Sequence, residues 1–188
     1  DTTGAIECQS CDAGKFSATT GASECTSCPA GFYQSFMGRD HCEACADGTY
    51  SDSPGYSECI GCPAGRFSLE AIQCEICAPG TYSGDGASYC ETCKAGKYQD
   101  MAGTDHCHGC EAGKYSGDGA PECSPCETGT FSIMPSAIEC SQCPQGYHQS
   151  SEGQTSCNKC QPGTFSSTQG SSYCSECSPG KYNPTEGV

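Results

Sequence analysis

The sequence lacks most of the residues from which a protein builds an apolar core. Its 188 residues include no tryptophan, one leucine, one valine, six isoleucines and six phenylalanines. A chain with so few large apolar side chains cannot bury enough surface to offset the entropy of folding, and this composition alone is typical of disordered proteins. A folded state therefore requires another source of stability.

Basic residues are also scarce, which restricts the partners. Eight Lys and Arg stand against 23 Asp and Glu, and the formal net charge is −15. Binding to nucleic acid or to an anionic membrane surface requires clustered Lys and Arg, so we expect neither. No apolar run is long enough to cross a bilayer, so we expect no membrane insertion in this segment. No signal peptide is visible, so an export signal would have been removed or would lie outside this segment.

Cysteine is the residue present in excess. The chain has 22 cysteines, more than one residue in ten, which indicates a disulfide scaffold. Because disulfides persist in oxidising compartments, we expect an extracellular or cell-surface protein. All the cysteines occur in C-x-x-C pairs, whose first members are Cys8, Cys25, Cys42, Cys59, Cys74, Cys90, Cys107, Cys123, Cys140, Cys157 and Cys174.

Each pair opens a short module with the same internal pattern. The third residue after the second cysteine is glycine in every copy, as at Gly14 and Gly31, so we expect positive φ or a close backbone approach there. Two residues later stands an aromatic residue, except at His148, which has Tyr147 beside it. We expect this ring to cover a disulfide and to form most of the module's small core. Most modules also carry a second glycine four residues before the next cysteine.

The modules predict the fold class. No segment has the apolar period of a helix. The Gly-x-aromatic-Ser segment predicts one strand, and the residues leading into the next cysteine predict its partner. We therefore expect a small disulfide-rich fold, an elongated rod of about eleven tandem modules with short β-hairpins and little or no helix. No linker interrupts the pattern, so residues 1–188 are interpreted as one continuous array in which each module contacts mainly its neighbours.

A longer repeat lies on top of the module. The sequence Ala-Ile-[Glu/Gln]-Cys occurs three times at intervals of 66 residues, or four modules. We interpret this as duplication of a four-module unit, with copies at 8–73 and 74–139 and a partial copy at 140–188. The two complete Ala-Ile modules lack the second glycine and carry aliphatic residues instead. Exposed apolar clusters usually mark contact sites, so we predict assembly contacts at Ile6, Leu69, Ile72, Ile133, Met134 and Ile138.

Two disulfide connectivities fit the spacing. In the sequential one, each second cysteine bonds to the first cysteine of the next pair and closes a loop of about a dozen residues, worth roughly 3 kcal/mol in the chain-entropy treatment. In the crossed one, Cys8 bonds to Cys25 and Cys11 to Cys28, which leaves one of the eleven pairs over. The sequential pairing is favoured, and it leaves Cys8 and Cys177 to bond to modules outside this segment, which would then be a fragment of a longer array. Its ten bonds are Cys11–Cys25, Cys28–Cys42, Cys45–Cys59, Cys62–Cys74, Cys77–Cys90, Cys93–Cys107, Cys110–Cys123, Cys126–Cys140, Cys143–Cys157 and Cys160–Cys174.

Metal-binding and catalytic roles have weaker support. The cysteine spacing falls within the range of four-cysteine zinc modules, but uniform pairs without histidine suit oxidation better. A redox C-x-x-C site would need a helix N-terminus, which nothing here indicates. His106 and His108 around Cys107 resemble a metal-binding tract, and the Gly-Asp-Gly turns at Asp85 and Asp118 could contact calcium, yet exposed histidines and plain turns are the simpler interpretations. No catalytic motif is present, so we predict no enzyme activity and no cofactor.

The segment Cys25–Tyr33 has the pattern C-x-x-C-P-A-G-x-[FY], and so does Cys59–Phe67. This pattern resembles the ephrin-receptor-like cysteine-rich repeat. The stretch from a second cysteine to the next first cysteine also resembles the single-disulfide submodule of tumour-necrosis-factor-receptor repeats. The resemblance implies a secreted or ectodomain setting and the sequential pairing. Uninterrupted arrays of this kind resemble those of large extracellular proteins of algae and other protists.

These observations support two hypotheses about function. The first is a structural building block of an extracellular filament or surface appendage, stiffened by disulfides and assembled with itself or with neighbouring chains through contacts in every fourth module. The second is the stalk or ligand-binding ectodomain of a cell-surface receptor or adhesin. Ser and Thr crowd the second half of each module, where O-glycans are compatible with either hypothesis.

Overall fold

The computed structural model describes residues 7–187. Within that range the regular structure consists of twenty β-strands of two residues each, and none of the described residues lies in a helix. Consecutive strands pair into ten two-stranded sheets, which confirms the predicted short hairpins. The strands are β1 (Lys15–Phe16), β2 (Thr26–Ser27), β3 (Phe32–Tyr33), β4 (Glu43–Ala44), β5 (Thr49–Tyr50), β6 (Ile60–Gly61), β7 (Arg66–Phe67), β8 (Glu75–Ile76), β9 (Thr81–Tyr82), β10 (Glu91–Thr92), β11 (Lys97–Tyr98), β12 (His108–Gly109), β13 (Lys114–Tyr115), β14 (Ser124–Pro125), β15 (Thr130–Phe131), β16 (Ser141–Gln142), β17 (Tyr147–His148), β18 (Asn158–Lys159), β19 (Thr164–Phe165) and β20 (Ser175–Glu176).

The second strand of each hairpin lies between the two cysteines of a pair. In the first hairpin, Lys15 stands opposite Ser27 and Phe16 opposite Thr26, in antiparallel register. The prediction had placed this strand before the cysteine, and it is wrong by a few residues. The reason is that the backbone N–H of Cys28 also donates to the carbonyl of Gly14 at 2.9 Å, so the pairing is centred inside the C-x-x-C segment. The Ser/Thr-rich residues before Cys25 are left to form the turn.

We define a module as the segment closed by one disulfide and number the modules 1 to 10, from Cys11–Cys25 to Cys160–Cys174. The second cysteine of each pair is the buried one, with an exposed fraction of at most 7% in every module. The aromatic rings are only half-buried, and Phe165 is 38% exposed. The expectation that one ring forms most of each core is therefore wrong. A two-residue strand presents the ring at the module's edge, where solvent reaches one side, and sulfur occupies the interior instead.

The residue that follows the ring is buried beside the sulfur, although it is polar. It is Ser or Gln in all ten modules, and in nine of them, all except Ser17 in module 1, the residue is at most 6% exposed. The Ser51 hydroxyl donates to the carbonyl of Phe32 in the preceding module at 3.1 Å and accepts the N–H of Gly31 at 2.8 Å. Gln99 instead donates to the carbonyl of His106 at 2.8 Å, within its own module. Hydrogen bonding offsets the cost of burying such polar groups. The exception is Ser68, whose buried hydroxyl has no hydrogen-bond partner among the described residues.

Backbone hydrogen bonds join each module to the next one. The N–H of Gly14 donates to the carbonyl of Gln34 at 2.7 Å, and the N–H of Gly38 donates back to the carbonyl of Cys11 at 2.8 Å. The N–H of Ser17 donates to the carbonyl of Arg39 at 3.1 Å. Because equivalent bonds recur at most module junctions, adjacent modules are held by main-chain groups that any sequence with the right turns could supply.

Contacts also reach the module after the next one, which the sequence did not lead us to expect. A Cβ atom at Gly14 in module 1 would overlap with the carbonyl oxygen of Gly55 in module 3. The glycine therefore meets both expected requirements, since its φ is +81° and another backbone approaches it closely. The same approach occurs at Gly48 to Gly86, Gly65 to Gly103, Gly80 to Gly119, Gly96 to Ser136, Gly113 to Gly153 and Gly129 to Gly170.

The described chain divides into two compact units. The first contains the described residues up to Cys77 together with Tyr82–Glu91 and Gly103–Asp105. The second contains Ala78–Thr81, Thr92–Ala102 and the described residues from His106 onward. Each unit is built from the same hairpins and the same set of main-chain bonds. The proposed four-module copies at 8–73, 74–139 and 140–188 stay a prediction.

Candidate functional site

The disulfides fix the frame that positions every other side chain. The structure contains ten, and their Cα–Cα distances of 5.6 to 5.8 Å are ordinary for this bond. Cys8 is exposed, Cys177 is partly exposed, and neither has a disulfide partner within the described residues. Their predicted bonds to further modules stay a prediction. The ten pairs are the sequential ones, Cys11–Cys25, Cys28–Cys42, Cys45–Cys59, Cys62–Cys74, Cys77–Cys90, Cys93–Cys107, Cys110–Cys123, Cys126–Cys140, Cys143–Cys157 and Cys160–Cys174.

The turn that closes each module keeps a left-handed residue even where glycine is missing. Most modules place the second glycine there, with φ between 68° and 92°. In the two complete Ala-Ile modules the left-handed residues are Ala71, with φ of 58°, and Ser136, with φ of 57°. A residue with a Cβ atom costs about 1–2 kcal/mol in this conformation. The backbone geometry is therefore retained at a cost in the two modules that carry the unusual aliphatic residues.

The residues predicted as assembly contacts are exposed. Leu69 and Ile72 in module 4, and Ile133, Met134 and Ile138 in module 8, have exposed fractions between 47% and 67%. Ile6 lies outside the described residues. Apolar side chains stabilise a fold only to the extent that they are buried. These exposed aliphatic side chains therefore add little to the stability of the fold. Their exposure leaves them available for contact.

The structure adds three residues that the sequence reasoning missed. Phe36 and Met37 in module 2 and Met101 in module 6 are between 58% and 62% exposed, in the same loop as the predicted contacts. Exposed aliphatic and phenylalanine side chains therefore occur in the loops of modules 2, 4, 6 and 8, whereas the loops of modules 5 and 10 carry the exposed tyrosines Tyr89 and Tyr173. We call the loops of modules 2, 4, 6 and 8 the apolar loops. Aligning the loops module by module in the sequence would have revealed them, whereas the search for Ala-Ile found only modules 4 and 8.

The contacts between next-but-one modules bring apolar loops close to modules of the same parity. A Cβ atom at Gly31 in module 2 would lie 3.5 Å from Cγ1 of Ile72 in module 4. In module 6, a Cβ atom at Gly96 would overlap with the carbonyl oxygen of Ser136 in module 8. In both contacts the turn glycine of one module meets the loop of the next-but-one module. Some exposed apolar residues lie in the hairpin strands instead of the loops, namely Phe32, Ile60 and Ile76.

The loops of modules 3, 5 and 7 each carry an aspartate, Asp52, Asp85 and Asp118. The carboxylate of Asp85 accepts the N–H of Ala64 at 2.8 Å, and that of Asp118 accepts the N–H of Ala95 at 2.8 Å. Each therefore ties its module to the preceding one. The Asp52 carboxylate accepts the hydroxyl of Tyr56 at 2.9 Å. That hydrogen bond, followed by one from Ser53, lowers the pKa of Asp52 below its usual value.

A scan against protein-family models matches residues 2–40 and 31–72 to the family described as tyrosine-protein kinase ephrin type A/B receptor-like. Residues 2–72 are therefore similar to ephrin-receptor-like repeats. The later modules have the same cysteine spacing, glycine turn and disulfide pairing, so the chain is a cysteine-rich repeat array throughout the described range. No curated protein matches the chain significantly.

In two hairpins, a tyrosine on one strand is hydrogen-bonded to a glutamate on the other. The Tyr33 hydroxyl donates to Glu43 at 3.0 Å, and the Tyr82 hydroxyl donates to Glu91 at 2.6 Å. In both pairs this hydrogen bond is the main cause that raises the pKa of the tyrosine above its ordinary value. Each pair links the two strands of its hairpin.

One histidine of the array lies against a disulfide. His148, which replaces the usual ring, has Nδ1 3.1 Å from Sγ of Cys174. His148, Cys160 and Cys174 offer three potential metal ligands within 4.8 Å, but the two sulfurs are bonded to each other and cannot act as thiolate ligands.

Among the described residues no helix is long and apolar enough to span a bilayer.

Proposed function

We propose that this array is a structural building block of an extracellular filament or surface appendage, and that copies of the chain associate through the apolar loops. The observation that carries the proposal is the placement of scarce apolar side chains at exposed positions in the loops of modules 2, 4, 6 and 8. In a chain of net charge −15, long-range forces between copies are repulsive, so association requires short-range apolar contact. A contact that repeats along the chain without closing produces a filament.

An extracellular setting supports this function. Ten disulfides, with sulfur as the buried interior, require an oxidising compartment during folding. Ephrin-receptor-like repeats are modules of extracellular regions, and the match to that family covers the first three modules and most of the fourth. The uniformity of the modules favours a scaffold, because the described residues contain no enlarged loop of the kind in which ligand-binding repeats concentrate their differences.

Polar replacement of loop residues tests the proposal. Leu69→Gln combined with Ile133→Gln and Met134→Gln alters side chains that are 62% to 67% exposed, so the fold should be retained. Each apolar side chain buried at a contact contributes about 1.5–3 kcal/mol, so we expect the concentration needed for assembly to rise at least tenfold. Sedimentation velocity and negative-stain imaging measure this. Ile72→Ser with Ile138→Ser forms a second, independent variant.

The control places the same residue in loops that are already polar. Ser151→Gln with Thr168→Gln occupies modules 9 and 10 and should leave assembly unchanged. If filaments form equally well from the triple variant and from the control, the apolar loops do not mediate assembly. Retention of amide dispersion in the variants separates loss of assembly from loss of folding.

The match to a receptor-like family supports one alternative, the stalk or ligand-binding ectodomain of a cell-surface receptor or adhesin. This alternative predicts a chain that stays monomeric at all accessible concentrations and a membrane-spanning segment in the full-length gene. Isolated particles in negative stain, together with such a segment, would favour it over the filament.

A further inference from the structure

Two exposed histidines face each other on one side of module 6. His106 and His108 flank Cys107, and their ring centroids are 4.8 Å apart with the rings nearly perpendicular, at 76°. His108 also lies 5.9 Å from the ring of Tyr98, its partner across β11 and β12. Residues two apart on an extended segment point to the same side. His106 lies two residues before His108, the first residue of strand β12, and the two imidazoles are neighbours on this side of the module.

The backbone that carries this pair is fixed on both sides. Cys107 is bonded to Cys93, and His108 belongs to strand β12. The buried Gln99 donates from its amide to the carbonyl of His106 at 2.8 Å, and its own amide oxygen accepts the N–H of Met101 at 3.0 Å. A rigid frame matters because a ligand pair that is already in place loses little entropy when a metal ion binds.

We propose that His106 and His108 bind one transition-metal ion of the class that prefers imidazole, Zn²⁺, Cu²⁺ or Ni²⁺. Metal–nitrogen distances of about 2.0–2.1 Å place two ligand nitrogens roughly 3.3 Å apart in a tetrahedral site, which rings at this centroid distance reach by rotation about their side-chain bonds. The chain supplies two ligands, and water or a donor from another molecule completes the coordination. The net charge of −15 attracts cations to this surface.

Module 2 provides a natural comparison within the same chain. It repeats the sequence around the pair as Asp40-His41-Cys42-Glu43, so that a glutamate stands where module 6 has His108. The frame is the same, because the amide of Gln34 donates to the carbonyl of His41 at 2.8 Å. Glu43 is engaged by the Tyr33 hydroxyl. Module 2 thus has one imidazole on the frame that carries two in module 6.

Calorimetric titration of the untagged, oxidised protein with ZnCl₂, repeated with CuCl₂, tests the site. We expect the wild-type chain to bind one equivalent saturably, and His108→Glu, which copies module 2, to weaken binding at least tenfold. His106→Ala should have the same effect. His41→Ala should bind like the wild type. Glu43→His rebuilds the pair in module 2 and should raise the stoichiometry to two.

The exposed carboxylates could hold metal ions weakly, and the same variants separate that possibility. Carboxylate binding would persist in His106→Ala and His108→Glu and would occur with Mg²⁺ as well, since hard cations prefer oxygen ligands. Absence of saturable binding by the wild type, equal binding by His108→Glu, or equal loss in His41→Ala would each overturn the proposal. None of these outcomes depends on filament assembly.

Discussion

Glycine has two separate roles at the turn after each cysteine pair, and substitution can separate them. Gly113 and Gly163 have nearly the same φ, +84° and +83°, so a side chain causes the same left-handed strain at both. Around Gly163 there is open space, whereas a Cβ atom at Gly113 would overlap with the carbonyl oxygen of Gly153. Strain alone costs about 1–2 kcal/mol. The close backbone approach adds a cost that no side-chain rotation relieves.

We therefore expect Gly113→Ala to lower stability by clearly more than Gly163→Ala, which should lose about 1–2 kcal/mol. Amide hydrogen exchange at Gly113 or its alanine replacement, whose N–H donates to the carbonyl of Ser132 at 2.8 Å, reports on the opening of that contact. The amide at position 163, bonded to Asn183, is the matched probe. Equal losses in the two variants would mean that the approach of Gly153 relaxes freely.

At this scale the sequence predicts glycine better than it predicts the aromatic ring. A position that is glycine in every copy indicates positive φ or close approach, and the structure has both at Gly14. The ring was expected in the core because aromatic residues usually are. Its strand is only two residues long and has a single neighbour, so the ring is half-buried while Ser or Gln beside it is enclosed. Burial order within so small a unit depends on the path of the backbone, which residue type alone does not reveal.

The hairpin is the element of this fold, and its cross-strand pairs set its pH dependence. The hydrogen bond from Tyr33 to Glu43, and then the carboxylate's charge, raise the pKa of Tyr33. A raised pKa in the folded state means that the pair's contribution is fully present below the tyrosine pKa of the unfolded chain. That contribution is lost as the pH rises through the folded-state pKa. The pair therefore supports this hairpin at neutral pH and weakens under alkaline conditions.

Replacement of Glu43 by Gln should lower the pKa of Tyr33 toward the ordinary tyrosine value, because the neutral amide no longer opposes the phenolate. Tyrosine carbon shifts followed by NMR through the alkaline range give the titration of each residue. Tyr82, which pairs with Glu91, should titrate as before, and Glu91→Gln should show the reciprocal result. A Tyr33 titration that does not change in Glu43→Gln would contradict the contact.

At the scale of the whole molecule, modules that lie two apart in the sequence contact each other. Module 1 contacts module 3 at Gly14 and Gly55, and the equivalent approach recurs along both compact units. Modules of the same parity are therefore in contact, which gives a two-module repeat a structural meaning that the four-module Ala-Ile repeat lacks. The sequence reveals the module, because cysteine spacing is regular. The sequence does not reveal the contact between next-but-one modules. That contact is made by glycines and main-chain carbonyls, so no pattern of side chains indicates it.

For the whole molecule, sulfur takes the place of the apolar core, and reduction should therefore abolish the fold and not merely loosen it. The buried apolar side chains of the described residues are the ten second cysteines. Each bond closes a loop worth roughly 3 kcal/mol, which is a large fraction of the net 5–15 kcal/mol by which ordinary domains are stable. Without them the remaining composition is typical of a disordered chain.

We expect full reduction of the disulfides at neutral pH to abolish the protection of backbone amides from hydrogen exchange throughout the described range. This includes the N–H of Cys28, which donates to the carbonyl of Gly14. Exchange measured by NMR before and after reduction tests this, and reoxidation of the same sample should restore protection if the sequential pairing forms again. Slow exchange that survived in the reduced chain would show that main-chain bonding between modules holds the fold by itself. In that case the disulfides would only reinforce a fold that forms without them. The scarcity of apolar side chains argues instead that the chain cannot fold unless the disulfides are present.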